Sequence, residues 1–259
     1  MYTQVHQGIL DLFYLKTGIH FDEKKDIVSN KINNFAKKSG FGDLESFLSA
    51  LKSSDSVWQE FVNMLTVNET YFFRENKQIE LMGSLIQNYS GSVSVLSAPC
   101  SSGEEAFTVL MSLSESGFLS KIKKITGIDV NSEVIKKANG GIYPKGSLHR
   151  TAPDMVERYF EKTADETYKI KEEFRRYAEF SVMNIFEPSF AALGEFDFVF
   201  SRNMLIYFDK ESRKKAEERL YNVLKPGGIL FLGHADIVQN SFNLKKHVIG
   251  GIVYYEKCQ

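Results

Sequence analysis

Residues 97–111 read SAPCSSGEEAFTVLM, and the fold turns on what such a stretch can hold. An apolar strand, Val93 to Ala98, runs into a loop of small residues and then into a helix that opens with Gly103, Glu104 and Glu105. The outline is that of a nucleotide-binding turn. A pyrophosphate cradle, however, needs several glycines so that bare N–H groups can approach the anion, and two carboxylates at the helix start would repel it. The loop is therefore wrong for phosphate.

Downstream of Ser92, short apolar strands alternate with helices. The strands are VSVLSA (93–98), KKITGIDV (123–130), FSVM (180–183), FDFVFS (196–201) and GGILFLGH (227–234), with helices predicted over 104–116, 133–138 and 210–224. Such alternation predicts an α/β architecture with a mostly parallel, doubly wound sheet. A closing pair, Lys246 to Val248 and Gly251 to Tyr255, predicts an antiparallel edge. Upstream, Ile9, Leu12, Phe13, then Val28, Ile32, Phe35, then Phe47, Leu48, Leu51, and then Phe61, Val62, Leu65 recur at helical spacing. They predict a helical domain over residues 1–89, joined near Tyr89–Gly91 to a second domain over 90–259.

Bulk properties exclude several classes. With 259 residues, 43% of them hydrophobic, and a net charge of −1, the chain can bury a sizeable core and has no global pull toward nucleic acid or a membrane surface. Cys100 and Cys258 lie far apart with no metal-ligand spacing, so no metal is expected and a reducing cytoplasm fits best. The first residues lack the pattern of a secretory signal, and no apolar run is long enough to span a bilayer.

In a doubly wound sheet the ligand sits beyond the carboxyl ends of the strands. There the sequence places Asp129, able to accept both hydroxyls of a ribose, and Asn184, an amide matched to an adenine edge. The stretch SRNMLIYFD brings Arg202, Asn203 and Tyr207 to the same rim. An adenosine site without a phosphate site points to S-adenosylmethionine, whose sulfonium suits a carboxylate such as Glu104. Each residue also has a plainer reading. Asp129 could cap the next helix, Asn184 could be a turn residue, the two glutamates suit any helix dipole, and Cys100 suits packing.

Five ordered segments now carry a resemblance: NETYFFRE (68–75), SAPCSSGEEAFTVLM (97–111), GIDVNSEVIKKA (127–138), FDFVFSRNMLIYFDK (196–210) and LKPGGILFLGHAD (224–236). The chain resembles the CheR family, chemotaxis-receptor methyltransferases that transfer a methyl group from S-adenosylmethionine to glutamate side chains of bacterial chemoreceptors. The resemblance implies a Rossmann-like class I methyltransferase sheet behind an N-terminal all-helical domain, with a small β-subdomain inserted at about 150–183. It implies that Asn68, Thr70 and Arg74 fold over the cofactor, while Glu104, Asp129, Asn184, Ile185, Arg202 and Asn203 line its pocket. Arg74 is expected to orient either the incoming carboxylate or the cofactor's own carboxylate, Tyr207 to border the methyl-transfer site, and the product would be S-adenosylhomocysteine. A glutamate, ionised at neutral pH, needs alignment more than a general base. One departure is that the family commonly reads GHSE where this chain has Gly233, His234, Ala235 and Asp236.

The implied partner is the cytoplasmic part of a chemoreceptor. Asp22 is expected to cap a helix running to about Ser39, on which Lys24, Lys31 and Lys38 repeat at heptad spacing and could steer acidic receptor helices. Some family members dock a C-terminal receptor pentapeptide through a glycine-rich turn of the subdomain. The corresponding EKTADETYK (161–169) has no glycine, so no such tether is expected. Two other classes remain: a domain that binds S-adenosylmethionine without turnover, and a nicotinamide oxidoreductase, against which the missing GxGxxG speaks.

Overall fold

The computed structural model describes residues 2–21, 25–236, 238 and 242–258. Its first part is helical. α1 (Gln4–Thr17) is capped by Thr3 and stops at Gly18, and α2 (Lys25–Lys38) follows. The expected start of α2 at Asp22, and Lys24 with it, fall outside the described residues. α3 (Leu44–Ser53) starts at the Asp43 cap and α4 (Asp55–Leu65) at the Ser54 cap, each side chain accepting a backbone N–H three residues on. Helical spacing turns Ile9, Phe13, Ile32, Phe47 and Phe61 inward, where none is exposed to solvent. Rings of Phe13 and Phe47 meet that of Phe61 edge-on, at 5.7 and 5.3 Å. Burying each such side chain is worth about 1.5–3 kcal/mol and favours the helices that present them.

After an irregular stretch from Thr66 comes α5 (Asn76–Leu85), and then the alternation begins. β1 (Val93–Ser97), α6 (Glu104–Glu115), β2 (Ile122–Asp129) and α7 (Ser132–Gly140) lead to β3 (Ile142–Tyr143), α8 (Pro153–Tyr159), β4 (Phe160–Lys162), β5 (Tyr168–Ile170) and α9 (Glu172–Arg175). β6 (Ala178–Val182), β7 (Phe196–Ser201), α10 (Lys210–Asn222), β8 (Leu224–Leu232), β9 (Leu244–Ile249) and β10 (Ile252–Lys257) complete it.

Among the described residues the large sheet has the order β6-β2-β1-β7-β8-β10-β9. The pairs β6–β2, β2–β1, β1–β7 and β7–β8 are parallel, whereas β10 runs antiparallel between β8 and β9, the expected edge. Strand periodicity divides the side chains: Val95, Phe198 and Phe200 pack into the core on one face, Leu96, Val199 and Leu230 on the other. A second sheet, β3-β5-β4, forms the small insertion. Its first strand starts at Ile142, ahead of residue 150, while Ala178–Val182 belongs to the large sheet, where its pairing with β2 is parallel.

Polar bonds join the helical part to the rim of the sheet. Tyr14 Oη donates to Asp209 Oδ2 (2.8 Å), and Asn63 exchanges bonds with Ser132, donating to its Oγ (2.9 Å) and accepting from its N–H (2.9 Å). No described helix is long and apolar enough to cross a membrane.

Candidate functional site

One cleft opens between these two parts, beyond the carboxyl ends of β1, β2, β6 and β7. Ala98 to Ser101, Ile128 to Val130, Met183 to Ile185 and Arg202 to Met204 line one side, and Thr66 to Thr70 with Arg74 line the other. Of the residues singled out in the sequence, Asn68, Thr70, Arg74, Asp129, Asn184, Ile185, Arg202, Asn203 and Tyr207 all lie on it.

Asp129 is the last residue of β2 and only 3% exposed. It is not a helix cap: Asn131 caps α7, its Oδ1 accepting from Glu133 and Val134 N–H at 2.9 and 3.2 Å. The Asp129 carboxylate is left to accept from Ser101 N–H and Asn131 N–H, both at 3.0 Å, with Asn68 Nδ2 at 3.5 Å. Burial raises its pKa and these hydrogen bonds lower it, with burial prevailing to leave it at about 6. Asn131 also donates to Thr66 Oγ1 (2.8 Å) and Asn68 Oδ1 (2.9 Å), so one amide ties both sides of the cleft together.

The glutamate pair divides. Among the described residues the cleft includes Glu105 and not Glu104. α6 begins after Gly103, whose φ of 91 and lack of room for a Cβ, which would lie 3.1 Å from both Ala138 and Phe180, fit glycine at the turn. Successive residues then point about 100° apart. Glu104 turns toward Ser102 Oγ (2.7 Å) and Ser147 Oγ (3.4 Å), and burial raises its pKa. Of the pair, Glu105 is the one whose side chain lies on the cleft wall. Glu105 accepts from Ser97 Oγ (2.6 Å) and from Arg202 Nε.

Arg202, 7% exposed, also donates to the Arg74 carbonyl at 2.8 Å. Asn184 also has a turn role: its Nδ2 donates to Lys16 carbonyl (2.7 Å) and its Oδ1 accepts from Phe186 N–H (2.9 Å), which anchors the end of α1 while the residue lines the cleft.

NETYFFRE serves two purposes at once. Phe72 is core, edge-on to Tyr143 and Phe160 at 4.8 and 5.1 Å. Its neighbours Phe73 and Glu75 take positive φ (63 and 49), which turns Arg74 out toward the cleft. The guanidinium donates to Glu69 carbonyl. It stands near enough to Tyr207 to oppose the rise that burial gives the phenol's pKa.

Asn131 and Asp236, whose side chains bond segments that line the cleft, are not singled out by the sequence. The Asn-Ser start of α7 was a signal for the first, and Asp236 stood inside a quoted segment with no role.

Comparison with known proteins gives two family models in chain order: "CheR methyltransferase, all-alpha domain" over residues 7–66, and "CheR methyltransferase, SAM binding domain" over residues 68–253. A chemotaxis protein methyltransferase of Campylobacter jejuni (strain 81-176) is 38% identical over 93% of this chain and 91% of its own length. Those of Salmonella typhimurium and Escherichia coli K12 are each 33% identical, over 90% and 88% of this chain and 83% and 82% of their own.

Proposed function

This chain belongs to the CheR methyltransferase family, and from that premise we propose that it methylates glutamate side chains of bacterial chemoreceptors, with S-adenosylmethionine as donor and S-adenosylhomocysteine as product. The observation that carries the reading is the buried Asp129 carboxylate held at the tip of β2 on a cleft whose glycine-poor loop offers no phosphate cradle.

The residues fit the donor's three parts. Asp129 would accept the ribose hydroxyls, which would replace the solvation its burial removes. Asn184 and Ile185, on the β6 side of the cleft, would meet the adenine. Glu105, its carboxylate on the cleft, would face the cationic methionine end, and Arg202 would hold it there. Asn68, Thr70 and Asn203 would close over the remainder. When bound, S-adenosylmethionine supplies an electrophilic methyl group on a cationic sulfur.

Arg74 and Tyr207 then have the alignment to do. Arg74 would orient the incoming glutamate carboxylate at the mouth, and Tyr207 would border its path. A glutamate with a reference pKa of about 4.3 arrives ionised, so no residue has to take a proton from it. Holding nucleophile and methyl carbon in register can contribute on the order of 7–11 kcal/mol to lowering the barrier.

We also infer how the receptor is met. Residues 1–89 would form the receptor-facing unit and 90–259 the catalytic one. Lys31 and Lys38 are exposed on α2 and would steer acidic receptor helices. The turn of the small sheet is closed by paired Thr163 and Thr167 hydroxyls (2.7 Å) and a Lys162–Glu166 ion pair (2.8 Å), which supports recruitment without a pentapeptide tether. Calorimetry tests the core of the reading. S-adenosylhomocysteine is expected to bind and NAD to give no heat; tight binding of NAD alone would overturn it.

A further inference from the structure

The turn Gly233–Asp236 at the end of β8 reaches both candidate catalytic residues, although it carries neither. Asp236 is 7% exposed, and its two oxygens serve two backbone donors of the loop after β7: Oδ2 accepts from Asn203 N–H at 2.5 Å and Oδ1 from Ile206 N–H at 3.1 Å. Asn203 sits at φ 58, in the left-handed region that asparagine tolerates better than most non-glycine residues, so the Asp236 bond adds to a turn its own side chain allows. Tyr207 follows directly, its own N–H closing on the Met204 carbonyl at 3.1 Å. The approach is tight as well as bonded, because a Cβ on Gly233 would lie 2.7 Å from the Asn203 nitrogen. On its other side the turn brings His234 Nδ1 within 2.9 Å of Glu75 Oε2, next to Arg74.

We propose that Asp236 is a positioning residue for methyl transfer: by holding the Asn203–Ile206 backbone through both carboxylate oxygens, it sets Tyr207 against Arg74 across the mouth of the cleft. The inference rests on the reading that Tyr207 borders the transfer site. It also gives the GHAD turn a role, since what the loop requires at residue 236 is a carboxylate with two acceptors. A neutral amide presents one acceptor and turns a donor toward the other backbone N–H, so Asp236→Asn breaks half of the clamp while nearly conserving volume.

The test is a double-mutant cycle on receptor methylation with the full chain, comparing Asp236→Asn, Tyr207→Ala and the double variant, with S-adenosylhomocysteine affinity read by calorimetry. Asp236→Asn is expected to lower kcat about tenfold or more while product affinity moves by less than about threefold, the signature of an interaction that matters at the transferring step. The double variant is expected to be no more than about twofold slower than the worse single one, because the two residues act through one loop. Multiplicative losses in the double variant would overturn the clamp, as would a normal kcat in Asp236→Asn beside a slow Tyr207→Ala. Normal turnover in Tyr207→Ala would instead sink the reading of the site on which the clamp rests. Should Asp236→Asn fail to fold, Gly233→Ala displaces the same loop by steric contact and is judged by the same cycle.

Discussion

The two sides of the cleft are built by opposite means. On the sheet side the polar groups emerge where strands end: Asp129 is the final residue of β2, and Arg202 and Asn203 follow β7 directly. Parallel order and period-two alternation dictate that these positions share one rim. The Thr66–Glu75 side has no such frame. Bonds to residues remote in the chain hold it: Asn68 carbonyl to Ser101 Oγ (3.2 Å), Phe72 N–H to Ser147 carbonyl (3.0 Å), Phe73 N–H to Thr108 Oγ1 (3.1 Å) and Arg74 carbonyl to Arg202. The sheet side is thus a consequence of topology, and the opposite side is a consequence of individual side chains. Each such bond contributes only about 1 kcal/mol, so the irregular side should be the one that single substitutions loosen.

Removing its working end should have the largest effect. Arg74→Ala is expected to cut receptor methylation by at least roughly tenfold with the fold retained, because the guanidinium faces the cleft and carries no core packing. Radiolabel transfer and thermal melting check this together, and near-normal turnover would remove Arg74 from the mechanism.

Next in size is the pH response of the sheet side. Asp129 must be ionised to accept ribose hydroxyls, and its folded pKa is about 6. Affinity for S-adenosylhomocysteine should therefore fall about tenfold between pH 7 and pH 5. Stability of the free protein runs the other way. The folded-state pKa lies above the ordinary value of 3.8, so the folded state binds the proton more tightly. Ionised Asp129 therefore costs stability, a cost absent below the unfolded value and complete above pH 6. Calorimetry across pH that showed flat affinity would contradict this assignment of Asp129.

A smaller effect is expected from Thr108→Val, which leaves the Phe73 N–H without its acceptor and so costs about 1–3 kcal/mol of stability. Denaturant melts would record that loss. If the irregular side acts as a unit, turnover should drop by several-fold as well. The smallest change expected is that of Lys31→Glu with Lys38→Glu: a rise of about threefold in the apparent KM for receptor at low salt, vanishing at high salt. Kinetics unchanged at low salt would assign those lysines to solubility alone.

The same contrast explains what the sequence made legible. Strand ends follow from alternation, so Asp129, Arg202 and Asn203 could be placed on the rim before any coordinates. Glu104 and Glu105 could not be told apart, because adjacent residues at a helix start point about 100° apart and only the tertiary setting decides which faces the cleft. Asn184 could be placed at its strand end, but its bond to the Lys16 carbonyl could not, because that group is 168 residues away in the chain and no local pattern announces it. Asp236 was hidden for the same reason: its acceptors matter only once β7 and β8 lie side by side. The small sheet was expected within about 150–183, but its first strand is only two residues long, too short for any periodicity to register.

The central claim is that this cleft carries a methyl group to a receptor carboxylate. It is tested most directly by incubating the protein with methyl-labelled S-adenosylmethionine and a chemoreceptor cytoplasmic fragment, and then treating the fragment with mild base. The account expects label on the fragment that base releases as methanol, the mark of a glutamate methyl ester, and its loss with Arg74→Ala. Binding of S-adenosylhomocysteine without any transferred label, or label that withstands base, would contradict it.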